Sequence, residues 1–186
     1  MKSKIIVKVS AVMTLVVFGF LFGIMYMQST GNWPNGSHNL VENTDLGSQQ
    51  IELPDWNMTL SDSSVVSLHD YRGETVLIEL MATWCSSCET QIDYMESFLQ
   101  LRPAGVIIIA LSVDISETPA MMANYKTEHD FSWECGVESE GSFSEYLDVE
   151  YIPTILIIDP SGYLRWIHVG TWSATNMNST LSSMDL

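Results

Sequence analysis

"MATWCSSCET", residues 81–90, follows the apolar run "VLIEL" (76–80) and leads into a segment with helical spacing. In that segment Ile92, Met95, Phe98 and Leu99 share one face, and Glu89, Asp93, Glu96 and Gln100 fill the other. The pattern predicts an amphipathic helix over 88–101, stopped by Pro103. Cys85 then falls at the end of a strand spanning 76–82, and Cys88 at the start of the following helix. Two cysteines at this spacing can hold a metal, close a structural disulfide or exchange electrons, and spacing alone does not choose. Their placement favours the last. Unpaired N–H groups and the helix dipole stabilise a thiolate at a helix N-terminus, which makes Cys85 the expected nucleophile. Cys88, one turn further in, is expected to be shielded and to act as the resolving thiol. Zinc would need two more ligands, and Cys135, His38, His69, His129 and His168 do not supply that pattern, so no metal is expected.

Working outward, "VIIIAL" (106–111) and "ILIID" (155–159) join "VLIEL" as short, nearly continuous runs rich in β-branched residues. Such runs suit central strands buried on both faces. A second helix is expected after Pro119, through "AMMANYKTEHD", and "GYLRWIHVG" after Pro160-Ser161-Gly162 reads as the return strand of a hairpin. No internal repeat interrupts the order strand, helix, strand, helix, hairpin. The expected fold is an α/β mixed sheet between helices. With 186 residues, 46% hydrophobic and 16% charged, the chain suits one folded domain.

The start of the chain reads differently. Val9 to Met27 is 19 residues without a charge, and as a helix it would span roughly 29 Å, about a hydrocarbon core. Lys2, Lys4 and Lys8 precede it and would remain cytoplasmic. Residues 1–27 are therefore expected to form a Lys-rich start and an uncleaved single-pass transmembrane anchor; a cleaved signal peptide is the alternative. Residues 28–50, rich in Gly, Asn, Ser and Gln, read as a flexible linker to a domain at 51–186, which would lie outside the cytoplasm at the cell membrane. Beyond Met27 stand four basic residues against 23 acidic ones, a net charge of −19. This balance argues against nucleic acid as a partner.

"ATWCSSC" preceded by a strand, with "YIPTILIIDPSG" about 65 residues later, resembles the thioredoxin superfamily. More narrowly, "LPDWNMTLSDSSVVSLHDYRGETVLIELMATWC" is similar to the opening of the membrane-anchored TlpA/ResA-type thiol-disulfide oxidoreductases, and the likeness covers roughly residues 51–170. The resemblance implies a thioredoxin-like mixed sheet flanked by helices. It also implies a redox-active Cys85–Cys88 disulfide with no other cofactor, and a cis bond between Ile152 and Pro153 facing the cysteines, with Thr154 after it. The expected partners are exported cysteine-containing client proteins, apocytochromes among them, and a membrane redox partner. Trp84, Ile152, Pro153 and Thr154 are the expected client-binding edge.

The departures from that family are specific. Ser86-Ser87 lies between the cysteines without the family's frequent proline, and Gln91 stands where ResA-like members often place a glutamate. The acid is expected instead at Glu79, six residues before Cys85, where thioredoxins place a buried aspartate. Glu79 interrupts an apolar strand, so its pKa should be raised into the range useful for proton transfer. Cys135 reads as a free thiol outside the mechanism and His168 as a solvated strand residue. Two alternative functions fit the pattern less well. A peroxiredoxin-like peroxidase usually needs P-x-x-x-T-x-x-C, whereas Thr83 lies two residues before Cys85. A redox-inert or copper-binding chaperone of related fold resembles CxxxC rather than CxxC.

Overall fold

The computed structural model describes residues 44–45, 51–138 and 142–184. The apolar segment 9–27 lies outside them, and among the described residues no helix is long and apolar enough to cross a membrane.

Among the described residues nine strands form one mixed sheet: β1 (Thr44–Asp45), β2 (Ile51–Glu52), β3 (Asn57–Leu60), β4 (Val65–Ser67), β5 (Thr75–Met81), β6 (Val106–Ser112), β7 (Glu134–Glu138), β8 (Thr154–Ile158) and β9 (Tyr163–Val169). Their spatial order is β1-β9-β8-β5-β6-β7-β3-β4, with β2 also on β9. β5 runs parallel to β6, and β6 to β7, while β8 runs antiparallel to β5. The parallel pairs need crossovers, which α1 (Ser86–Leu99) and α2 (Pro119–Glu128) supply. A short helix α3 (Ser142–Tyr146) precedes β8, and α4 (Ala174–Ser183) follows β9.

All seven residues of β5 are buried, as expected of a central strand covered on both faces. Leu77 and Met81 pack into one cluster with Ile92, Met95 and Phe98 of α1 and Met177 and Leu181 of α4. Val76, Ile78 and Leu80 face the other cluster, with Met58, Phe143 and Leu164. Each fully buried Leu, Ile or Phe contributes about 1.5–3 kcal/mol by leaving water. The helix α1 starts two residues before its expected position because Cys85 caps it, and it ends at Leu99. Thr118 caps α2, with Pro119 in the first turn, where its missing N–H leaves no bond unmade.

Three features differ from the sequence reading. Thr44–Asp45, inside the stretch read as linker, pairs with Trp166 and Ile167 of β9. The helix α4 was not anticipated, because "ATNMNSTLSS" carries few apolar residues, although Ala174, Met177 and Leu181 are buried at helical spacing. His168 is half-buried rather than solvated: its ring stacks on Trp172 at 4.7 Å between centroids.

Candidate active site

The redox pair sits where β5 gives way to α1. Cys85 and Cys88 are joined as a disulfide. Cys85 is the cap of α1, and its Sγ accepts from the Cys88 backbone N–H at 3.2 Å. This N–H, shared with the Cys85 carbonyl at 3.0 Å, sits at the helix terminus and points at the sulfur, an arrangement that favours a thiolate there when the pair is reduced. Cys85 is 7% exposed and Cys88 0%, so any approach from solvent meets Cys85 first. Ser87 Oγ lies 3.3 Å from Cys85 Sγ and donates to the Ile152 carbonyl, and that carbonyl oxygen stands 3.8 Å from the same sulfur.

Ile152-Pro153 is a cis peptide bond, and β8 brings it against the cysteines. Thr154, after the cis-proline, turns its hydroxyl inward. It is 2% exposed, and Oγ1 donates to the Tyr151 carbonyl at 2.7 Å, holding the turn before β8. Pro153 is buried as well. Trp84, by contrast, is 69% exposed, with its indole N–H donating to Asp114 Oδ2 at 2.7 Å.

Glu79 lies in mid-strand, between Ala110 of β6 and Ile155 of β8 in register. It lies two residues from both Leu77 and Met81, so it shares the sheet face that packs beneath Cys85 and Cys88. Its flanking residues offer no polar group. Both carboxyl oxygens are buried without a hydrogen-bond partner, and burial pushes the pKa from 4.5 up to about 8.

Two residues complete the site, Glu117, which sequence reasoning missed, and Gln91, whose role it missed. Glu117, buried in the loop after β6, accepts from the backbone and hydroxyl of Thr83 (2.9 and 2.5 Å) and from Ser112 Oγ (2.6 Å). It holds the segment leading to Trp84 and Cys85 from the loop after β6, a pairing with no local signal. Gln91, wholly buried one turn beyond Cys88, pairs with both backbone groups of Trp172: Oε1 accepts at 2.7 Å and Nε2 donates at 3.2 Å. Gly170 N in turn donates to Pro153 O, so the cysteine helix and the cis-proline turn are bridged through this segment. The substitution of glutamine for the family's glutamate was legible; its clamp on Trp172 was not. Cys135 is a free thiol, 1% exposed, and burial raises its pKa. Among the described residues no group of metal-binding side chains gathers.

Residues 50–167 match the model of the AhpC/TSA family. The chain is 24% identical over 164 residues to the thioredoxin-like protein YneN of Bacillus subtilis, covering 87% of this chain and 96% of that one. It is 30% identical over 112 residues to the thiol-disulfide oxidoreductase ResA of Bacillus thuringiensis, covering 60% of this chain and 64% of that protein. Among solved structures, a DsbF homologue from Corynebacterium diphtheriae superposes with a TM-score of 0.66 at 14% identity, covering 80% of this chain and all of that one. With a paired CxxC at the head of α1 and a cis-proline turn against it, the chain belongs to the AhpC/TSA family and is a thioredoxin-like thiol-disulfide oxidoreductase of the TlpA/ResA type.

Proposed function

We propose that this protein exchanges disulfides with exported, cysteine-containing clients outside the cytoplasm, held to the membrane by its N-terminal apolar segment. The observation that carries the reading is the asymmetry of the pair: Cys85 caps a helix and receives its N–H, while Cys88 is fully buried. In the reducing direction the Cys85 thiolate attacks a client disulfide, forming a mixed disulfide and expelling one client thiolate. Cys88, its proton taken by the Glu79 carboxylate, then attacks Cys85 Sγ. The Cys85–Cys88 bond forms, the second client thiolate leaves, and two electrons have passed from protein to client. Trp84 and the Ile152 edge flank the client during the exchange. A membrane partner resets the pair, and the reverse sequence would oxidise a client instead. The extracytoplasmic placement rests on Lys2, Lys4 and Lys8 before the 19-residue apolar span.

The division of roles is tested by trapping. Cys88→Ser should accumulate covalent mixed disulfides with clients, since attack proceeds and release does not; Cys85→Ser should trap none. Trapping by Cys85→Ser alone would reverse the assignment. Protease added to intact cells should digest the domain while Lys2 persists in the mature chain, and a mature N-terminus near residue 28 would defeat the anchor. Consumption of peroxide at a rate exceeding disulfide exchange would favour the peroxidase alternative.

A further inference from the structure

The end of the sheet that carries the redox pair is divided from the opposite end by charge and by exposed apolar groups. Three of the large apolar side chains left in solvent gather there. Trp84 (69% exposed) precedes Cys85, Tyr151 (62%) precedes the cis-proline turn, and Ile115 (92%) follows Asp114, the acceptor of the Trp84 indole. Beside Trp84 a cleft opens at the C-terminal ends of β6 and β7, lined by Ser112, Asp114, Ile115, Glu117, Val137 and Glu138. Three of these six are carboxylates, and Asp148 and Glu150 stand exposed in the segment leading into β8.

Among the described residues no lysine or arginine answers them at this end. Arg72 bonds Glu52 before the start of β5, and Arg165 bonds Asp159 just past the end of the antiparallel β8. Arg102 caps the Val106 carbonyl at the start of β6, and Lys126 donates to the Trp133 carbonyl before β7. Cations at the far end are thus matched with local acceptors, while the face around Cys85 carries one sign. Hydrogen bonds to Ser116 and Trp84 hold the Asp114 carboxyl below the usual carboxylate range, so it stays charged well into acid.

We infer that this face recognises a basic client segment: a cysteine flanked by lysine or arginine, whose cationic side chain enters the Asp114–Glu138 cleft while Trp84 and Ile115 cover its apolar stem. The inference rests on the redox reading above and supplies its substrate class. A low-dielectric surface of one sign raises association with an opposite charge by about 10–10³-fold, and salt removes the effect within roughly a 10 Å Debye length at 0.1 M. A lysine or arginine stem also packs well on an aromatic face, and the indole offers its cation–π surface.

The test uses the reduced protein, with both cysteines as thiols, and three oxidants. These are a cystine-linked peptide flanked by lysines, the same peptide flanked by glutamates, and the neutral hydroxyethyl disulfide. Each oxidant is reduced to two thiols as Cys85 and Cys88 close their disulfide, so tryptophan fluorescence follows every reaction. At 20 mM salt the lysine peptide should react at least tenfold faster than the glutamate peptide, and at 0.5 M salt the ratio should fall to about twofold. In Asp114→Asn combined with Glu138→Gln, both lining the cleft, rates normalised to the neutral disulfide should lose most of the low-salt preference; the asparagine oxygen keeps one of the two acceptor positions that serve Trp84 and Ser116. Equal peptide rates at low salt, with the neutral disulfide reacting, would overturn the inference and leave the redox reading standing. Failure of all three oxidants to react would overturn both.

Discussion

Replacing Glu79 by glutamine separates two consequences of burying one carboxyl. In the folded protein its pKa is near 8, whereas the unfolded chain restores the ordinary value of 4.5. Between those values the folded state keeps a proton that the unfolded state has lost. Folding therefore takes up a proton in this window, so the contribution of Glu79 to stability is fully present below pH 4.5 and is lost as pH rises through 8. Each pH unit is worth about 1.4 kcal/mol, so at pH 7, about 2.5 units above the unfolded value, the penalty is about 3 kcal/mol. Glutamine has nearly the same shape and no charge to bury. Its amide finds no more partners than the protonated acid did, so at pH 5 the variant should match wild type or be slightly weaker. At pH 7 it should be more stable by about 3 kcal/mol, roughly 10 °C in Tm. Urea unfolding of the disulfide form, followed by tryptophan fluorescence from pH 5 to 8, measures the difference directly, because the paired cysteines do not titrate. The same substitution removes the proton acceptor for Cys88 and should slow resolution of a mixed disulfide by about 10²–10⁴-fold. Unfolding curves for the two proteins that stay parallel from pH 5 to 8 would refute the desolvated carboxyl, whatever happened to the rate.

Gln91→Leu keeps the volume but orphans the buried N–H and C=O of Trp172, so it should destabilise the domain by about 2–4 kcal/mol in denaturant unfolding. Cys135→Ser should retain the rate and potential of the Cys85–Cys88 pair in a glutathione titration; a large loss with the fold intact would make the third thiol part of the mechanism. Gly136→Ala should lower Tm sharply, because the added methyl would fall 2.8 Å from Leu60 Cα and inside contact distance of the Thr59 carbonyl. That crowding parts β7 from β3, and circular dichroism melting would register it.

The central strands, both crossover helices and the cysteine pair were legible because each is written in consecutive residues. Apolar runs bounded by Gly and Pro fix β5, β6 and β8, and the spacing of Ile92, Met95 and Phe98 fixes α1. Glu79 was legible for the same reason: a lone acid inside an apolar strand has nowhere else to point. Glu117 and Gln91 were not, since their partners lie 34 and 81 residues away and only the folded sheet brings them together. At Thr154 the position after the cis-proline was legible, whereas the bond from its hydroxyl to the Tyr151 carbonyl was not. The helix α4 escaped because its stability comes from packing on α1 rather than from its own weakly apolar sequence.

The two short strands β1 and β2 have a consequence for how this domain behaves outside its native setting. Together they lie along β9, whose outer rim would otherwise offer the unpaired N–H and C=O groups of a seven-residue strand bearing Trp166 and Ile167. Such a rim is a template for a second chain, and a sheet left open there invites edge-to-edge association. At the far border the sheet ends in β4, three residues long and too short to recruit a neighbour well. A recombinant domain begun at Leu53 would keep the entire redox site yet lose the guard on β9. It should dimerise or aggregate through that strand with its chemistry intact, whereas one begun before Thr44 should remain monodisperse.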